Sequence, residues 1–160
     1  REAQATFERA VNAWQESSPE PAVVEARAYF GILTARAGHV DAGRRSVRAA
    51  LEAAERLGYR DLEARCRLLL TEIEVTARRF NEARSALDAI PADSQEQTIG
   101  PELRAESHYW RGRLQAESGD SVAAQRSTDA ARTIVRAVSE RLPDEYRASF
   151  LARATLRHFQ

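Results

Sequence analysis

Ala3, Gly43, Ala83 and Ala124 fall 40, 40 and 41 residues apart, and two further columns travel with them. Four residues later stand Phe7, Val47, Leu87 and Thr128, and three beyond those stand Ala10, Ala50, Ile90 and Ala131. Small, large and small at i, i+4 and i+7 is one face of a helix. Its return at a fixed period constrains the chain to an array of like helical units. A second recurrence agrees with the first: Tyr29-Phe-Gly-Ile-Leu-Thr-Ala-Arg-Ala-Gly38 comes back, edited, as Tyr109-Trp-Arg-Gly-Arg-Leu-Gln-Ala-Glu-Ser-Gly119. A mid-helix glycine such as Gly31 or Gly112 costs about 1 kcal/mol against alanine, so its return predicts a neighbouring helix packed close against it.

The rest of the composition fits helices. Apolar residues make up 43% and charged residues 30%, with no competing alternation of the strand type. The charges balance at 24 basic and 24 acidic residues, so no global field draws this segment to nucleic acid or to an acidic membrane. Every basic residue is arginine; we read this as a GC-rich bacterial codon bias ahead of any phosphate-binding chemistry. No apolar run approaches the roughly 20 residues that span a bilayer, and the expected location is cytoplasmic. The chain opens at Arg1 inside an apparent helix, which reads as a fragment of a longer protein.

Breakers divide the array. Residues 2–16 form half a unit, a second helix without its mate, closed by the cluster Glu16 to Pro21. The first full unit covers 22–58. Its first helix, 22–37, carries an inward stripe of Ala26, Tyr29, Phe30, Leu33 and Ala37, and Gly38 caps it. Asp41 is the expected N-cap of its second helix, which runs to Leu57 and closes at Gly58. The next unit, 61–91, places Leu62, Cys66, Leu69, Leu70, Ile73 and Ala77 inward, turns at Arg78-Arg-Phe80 without glycine, and takes Asn81 as N-cap. Residues 92–100 read as a polar loop, and Pro101 fits a first helical turn. The third unit, 101–141, points Leu103, Trp110 and Leu114 inward and turns at Gly119-Asp120-Ser121. A capping element, 144–160, begins with a short helix bearing Tyr146, Phe150 and Leu151.

In these columns the chain resembles the tetratricopeptide repeat family. The small residue in mid-first-helix falls on Gly31, Thr71 and Gly112, and the glycine that ends that helix on Gly38, Arg78 and Gly119. The aromatic that follows falls on Val40, Phe80 and Ser121, and the alanine of the second helix on Gly43, Ala83 and Ala124. The family's tryptophan is replaced by Arg27, Arg67 and His108, and the period is near 40 residues where about 34 is usual. Long helices of this kind are similar to arrays in large bacterial transcription activators and serine/threonine kinases. The resemblance implies an all-α, right-handed solenoid of antiparallel helix pairs, about three and a half repeats plus a C-terminal capping helix, forming one domain over 1–160.

In such a solenoid the first helices line a concave groove. The register assigns to it Glu25, Ala28, Ile32, Ala35 and Arg36, then Arg65, Leu68, Glu72, Val75 and Thr76, then Glu106, Tyr109, Arg113, Ala116 and Glu117. Ile32, Leu68, Val75 and Tyr109 would make an apolar floor. Arg36, Arg65 and Arg113 would clamp a carboxylate or an acidic peptide, unless Arg and Glu of adjacent helices simply pair with one another.

Other chemistry is weak. His39, His108 and His158 share no helical turn, so they offer no metal-ligand spacing. Cys66 lies on the inward stripe and reads as a small buried hydrophobe rather than a nucleophile. Glu72 and Glu74 point apart. Arg44-Arg45-Ser-Val-Arg48 is followed by Glu52 and Glu55 and reads as a salt-bridged outer face. No phosphate loop or nucleophile elbow is present, so neither a catalytic residue nor a cofactor is expected. The resemblance implies a noncatalytic protein- or peptide-binding module of a larger bacterial signalling or transcription-regulatory protein. Its partner would be a protein, a peptide or another domain of the same chain; the alternative is a structural spacer that self-associates as a homodimer.

Overall fold

A computed structural model describes residues 20–90 and 99–152, and within them the chain forms seven helices and no strand. They are α1 Pro21–Arg36, α2 Val40–Leu57, α3 Arg60–Thr76, α4 Phe80–Asp88, α5 Pro101–Glu117, α6 Ser121–Glu140 and α7 Asp144–Leu151. The half unit expected at 2–16, most of the loop at 92–100 and the tail beyond Ala152 lie outside the described residues.

Four turns between helices share one backbone geometry. Gly38, Gly58, Arg78 and Gly119 all have positive φ, at 97°, 70°, 58° and 84°. After each, the next N–H donates to the carbonyl five residues back: His39 to Thr34, Tyr59 to Ala54, Arg79 to Glu74 and Asp120 to Gln115. This closure satisfies the carbonyls left over at a helix end, and it requires the left-handed conformation that glycine adopts freely. Arg78 adopts it with a β-carbon in place.

Two expected caps are corrected. Helix α2 begins at Val40 with His39 in the cap position, and Asp41 lies in the first turn, where it pairs with Arg44. Likewise α4 begins at Phe80, so Asn81 is inside it. The left-handed turn sets the helix start one residue earlier than the side chain that looked like a cap. Asp120, read in the sequence only as a turn residue, caps α6 by accepting from the Ala123 N–H at 2.9 Å. Pro21 and Pro101 both open helices, where their missing N–H costs nothing.

The short turns fold consecutive helices back on one another. Gly31 faces Gly43 while the Arg27 carbonyl accepts from the Ser46 hydroxyl, so α1 and α2 run in opposite senses. Gly112 faces Ala124 and Thr128 in the same way, and Ser127 donates to the Gln115 side chain.

Helix α3 is the pivot of the packing. Cys66, Leu69, Leu70 and Ile73 join Val24, Ala28, Ile32, Val47 and Ala50 in one core; Ala64 and Leu68 join Ala83, Leu87, Ile90, Ile99, Leu103, Trp110 and Leu114 in a second. Each large apolar side chain fully buried here contributes about 1.5–3 kcal/mol. A third cluster seats Phe150 and Leu151 of α7 on Ala105, Ile134, Val135 and Val138. Arg147 of α7 fixes the seat by donating to the carbonyls of Ser139 and Glu140, at the C-terminal end of α6.

None of the inward stripe expected for α1 is fully buried: Tyr29, Leu33 and Ala37 are exposed, and Ala26 and Phe30 are only partly covered. Tyr29 and Leu33 are 39% and 61% exposed, whereas Val24, Ala28, Ile32 and Ala35 are buried. Helix α1 is apolar around most of its circumference, so two stripes two residues apart, about half a turn, compete on pattern alone. Contact with α2 and α3 selects the second stripe.

Candidate functional site

Arginine and glutamate join the first helices of successive pairs. Arg36 of α1 donates to Glu72 of α3 at 2.7 Å, and Arg65 of α3 meets Glu106 of α5 at 2.5 Å. Two of the three guanidiniums expected to clamp a foreign carboxylate, Arg36 and Arg65, are thus engaged by carboxylates of this chain. Arg36 is largely exposed, so its pair contributes about 0–1 kcal/mol. Arg65 and Glu106 are both mostly buried. Burial pushes the Glu106 carboxyl up; Arg65 opposes that shift by charge and hydrogen bond, and the Glu72 charge adds to it. Trp110 lies one turn along α5, and its indole N–H also favours the Glu106 carboxylate without meeting hydrogen-bond geometry.

The expected apolar floor is not a surface. Ile32 and Leu68 are buried at 3% and 0%, and Ala28 and Ala35 are buried with them. The cause is that each first helix contacts both its own partner and the next pair, which leaves the groove columns partly inside. Val75 and Tyr109 are half-buried against the second core. Tyr109 stands edge-on to Trp110 and accepts from Arg113 at 3.2 Å. Of the expected row, Glu25, Arg36, Glu72, Val75, Thr76, Tyr109, Arg113, Ala116 and Glu117 reach solvent away from the Arg65–Glu106 pair, while Ala28, Ile32, Ala35 and Leu68 do not.

A concavity that the expected row only touches lies one turn nearer the helix starts. Its volume is about 560 Å³, within the usual range of ligand sites. Pro21, Ala22 and Glu25 of α1 line it, with Tyr59, Asp61, Leu62 and Arg65 at the start of α3, Gly100, Pro101, Glu102 and Leu103 at the start of α5, and Val138 of α6. Three of its columns are repeat columns: Pro21, Asp61 and Glu102; Ala22, Leu62 and Leu103; and Glu25 with Arg65. Extending the groove columns back by one turn would have found them. Asp61 closes the seam between α3 and α5 by accepting from the Gly100 N–H at 3.1 Å.

A second ionic cluster is structural. Glu74, 2% exposed, receives two bonds from Arg44, at 2.6 and 3.1 Å, across the junction of α2 and α3. Arg44 also holds Asp41, and Arg79 lies within 4 Å of both acids. Glu72 and Glu74 thus serve separate arginines. Cys66 is fully buried and its thiol is pushed up to about 12, first by burial and then by the Glu25 charge. His39 sits at a turn and His108 on α5, while His158 lies outside the described residues. Among the described residues no helix is long and apolar enough to cross a membrane, and no three His, Cys, Asp or Glu side chains are grouped to hold a metal.

No family model matches the chain, and no curated protein or solved structure matches it either. Its class therefore rests on its own geometry, an all-helical protein of back-to-back helix pairs.

Proposed function

We propose that this chain is a noncatalytic peptide- or protein-binding module, a solenoid of the tetratricopeptide type, working in the cytoplasm as part of a larger bacterial signalling or transcription-regulatory protein. The observation that carries the reading is the 560 Å³ concavity, built from equivalent positions of three helices. Equivalent positions around one hollow are what a repeat array presents to an extended segment. The candidate acids and bases are spent on one another, as Arg36 is on Glu72, Arg65 on Glu106 and Arg44 on Glu74, which supports a binding role over an acid–base one.

Panning a display library of random twelve-residue peptides against the immobilised chain tests the reading. Peptides should be enriched, and they should lose binding when Ala22→Trp narrows the hollow. No enrichment, or enrichment indifferent to Ala22→Trp, contradicts it.

A second reading is self-association, which would make the chain a spacer. It is favoured by Tyr29 and Leu33, exposed on α1, whose counterparts Leu69 and Ile73 in α3 are buried. Light scattering decides: a dimer abolished by Leu33→Glu supports it, and a monomer at all concentrations removes it.

A further inference from the structure

Glu25, Arg65 and Glu106 occupy one repeat column, and acid and base alternate along it. Arg65 is taken by Glu106. Glu25 is exposed, lines the hollow and makes no ion pair among the described residues.

Acids near helix starts commonly do no more than balance the helix dipole. Magnitudes separate that role from a binding one. Each of α1, α3 and α5 presents roughly half a positive charge at its N-terminus, or about 1.5 in all. Glu25 and Asp61 alone set two negative charges against it. Asp61 and Glu102 lie in first turns, where the dipole acts. Glu25 lies beyond the first turn of α1, where the dipole has faded. The hollow is therefore net negative, and its surplus is centred on Glu25.

The walls fit a side chain that is apolar along its length and positive at its tip. Leu62, Leu103 and Val138 are apolar, and the ring of Tyr59 is half exposed at the rim. Long basic side chains lay their methylenes on such surface and their charge beside an aromatic face.

We propose that the hollow docks a basic extended segment of a partner protein, one arginine or lysine side chain reaching Glu25 across Tyr59 with apolar neighbours on Leu62 and Leu103. This reverses the preference for acidic peptides that the groove arginines suggest in sequence. It rests on the peptide-binding reading above and specifies its ligand.

The test is fluorescence anisotropy of the full chain with a fluorescein-labelled peptide, Ala-Leu-Arg-Leu-Arg-Ala, and with its counterpart bearing glutamate for arginine. The basic peptide should bind at least tenfold more tightly, and Glu25→Gln should weaken it at least fivefold. Rising salt should weaken it too. Glu25 is exposed, so circular dichroism should show an unchanged fold; Tyr59→Ala provides a second variant with the same expected direction. Equal affinity for the two peptides overturns the proposal. So does a lowered melting temperature of Glu25→Gln with unchanged peptide binding, which would leave the carboxylate only a role in helix stability. A concentration-dependent dimer lost in Glu25→Gln assigns the hollow to a second copy and also overturns it. If panning enriches peptides without basic residues, the binding-module reading stands and this ligand assignment falls; if it enriches none, both fall.

Discussion

Gly31 and Gly43 meet across the crossing of α1 and α2 so closely that a β-carbon on either would lie within 3.0 Å of the other's carbonyl oxygen. A β-carbon on Gly31 would also be 2.6 Å from Val47 Cγ2, and one on Gly43 would be 2.7 Å from the Ala35 nitrogen. Gly112 is less confined, its β-carbon 3.0 Å from the Thr128 hydroxyl and 3.1 Å from the Ala124 carbonyl. Glycine here is a spacing device for helices in contact.

Alanine at these sites gains about 1 kcal/mol of helix propensity and loses about 1–3 kcal/mol to overpacking. Gly43→Ala should destabilise most, because it meets rigid backbone on α1. Gly31→Ala should follow, and Gly112→Ala should be near neutral. Urea denaturation of the three variants gives the order; a stabilised Gly43→Ala would contradict the crossing.

Arg78 holds a left-handed conformation that its three counterparts leave to glycine. That conformation costs an L-residue roughly 1–2 kcal/mol. Arg78→Gly should stabilise the chain by about 1 kcal/mol, somewhat less for the lost stacking of Arg78 over the Phe80 ring, 6.0 Å away. Thermal melting checks it, and a destabilised variant would show that the Arg78 side chain outweighs the strain.

Glu106 supplies a pH signature. Its carboxyl is raised above 4.5 in the fold, chiefly by burial. Between the unfolded value and the raised one the native state binds more protons than the unfolded state, so stability falls as pH rises. The contribution is complete below the unfolded value and lost as pH climbs through the folded one. The stability of wild type minus that of Glu106→Gln, from urea melts at successive pH values above 4, should therefore decline with pH. A rising difference would mean that Arg65 outweighs burial.

The Cys66 thiol, buried and pushed up to about 12, should be inert in the native state. Ellman's reagent at pH 8 should label it fully in 6 M guanidinium and only at the rate of opening without denaturant. Prompt native labelling would contradict its burial.

Period and punctuation carry most of the fold. Gly38, Gly58 and Gly119 mark turns and Pro101 a helix start, because each acts through its own backbone. The faces of the helices are less legible. Ile32 and Leu68 look like groove residues and are core, while Tyr29 and Leu33 look like core and are exposed. Orientation depends on how many neighbours a helix has, which a one-helix period does not contain. The pairing of groove arginines with glutamates of the adjacent helix, the alternative to a clamp that the sequence offers, is what Arg36 with Glu72 and Arg65 with Glu106 show. The hollow escaped notice because its lining begins at helix starts, where Pro21, Asp61 and Pro101 read as punctuation.

The central claim is that an extended segment binds across the starts of α1, α3 and α5. Amide chemical-shift mapping of the 15N-labelled chain with a panned peptide tests it most directly. Shifts should concentrate at Ala22 to Glu25, Tyr59 to Arg65 and Gly100 to Leu103. Shifts confined to Arg36, Glu72 and Arg113, or spread evenly over the chain, would contradict it.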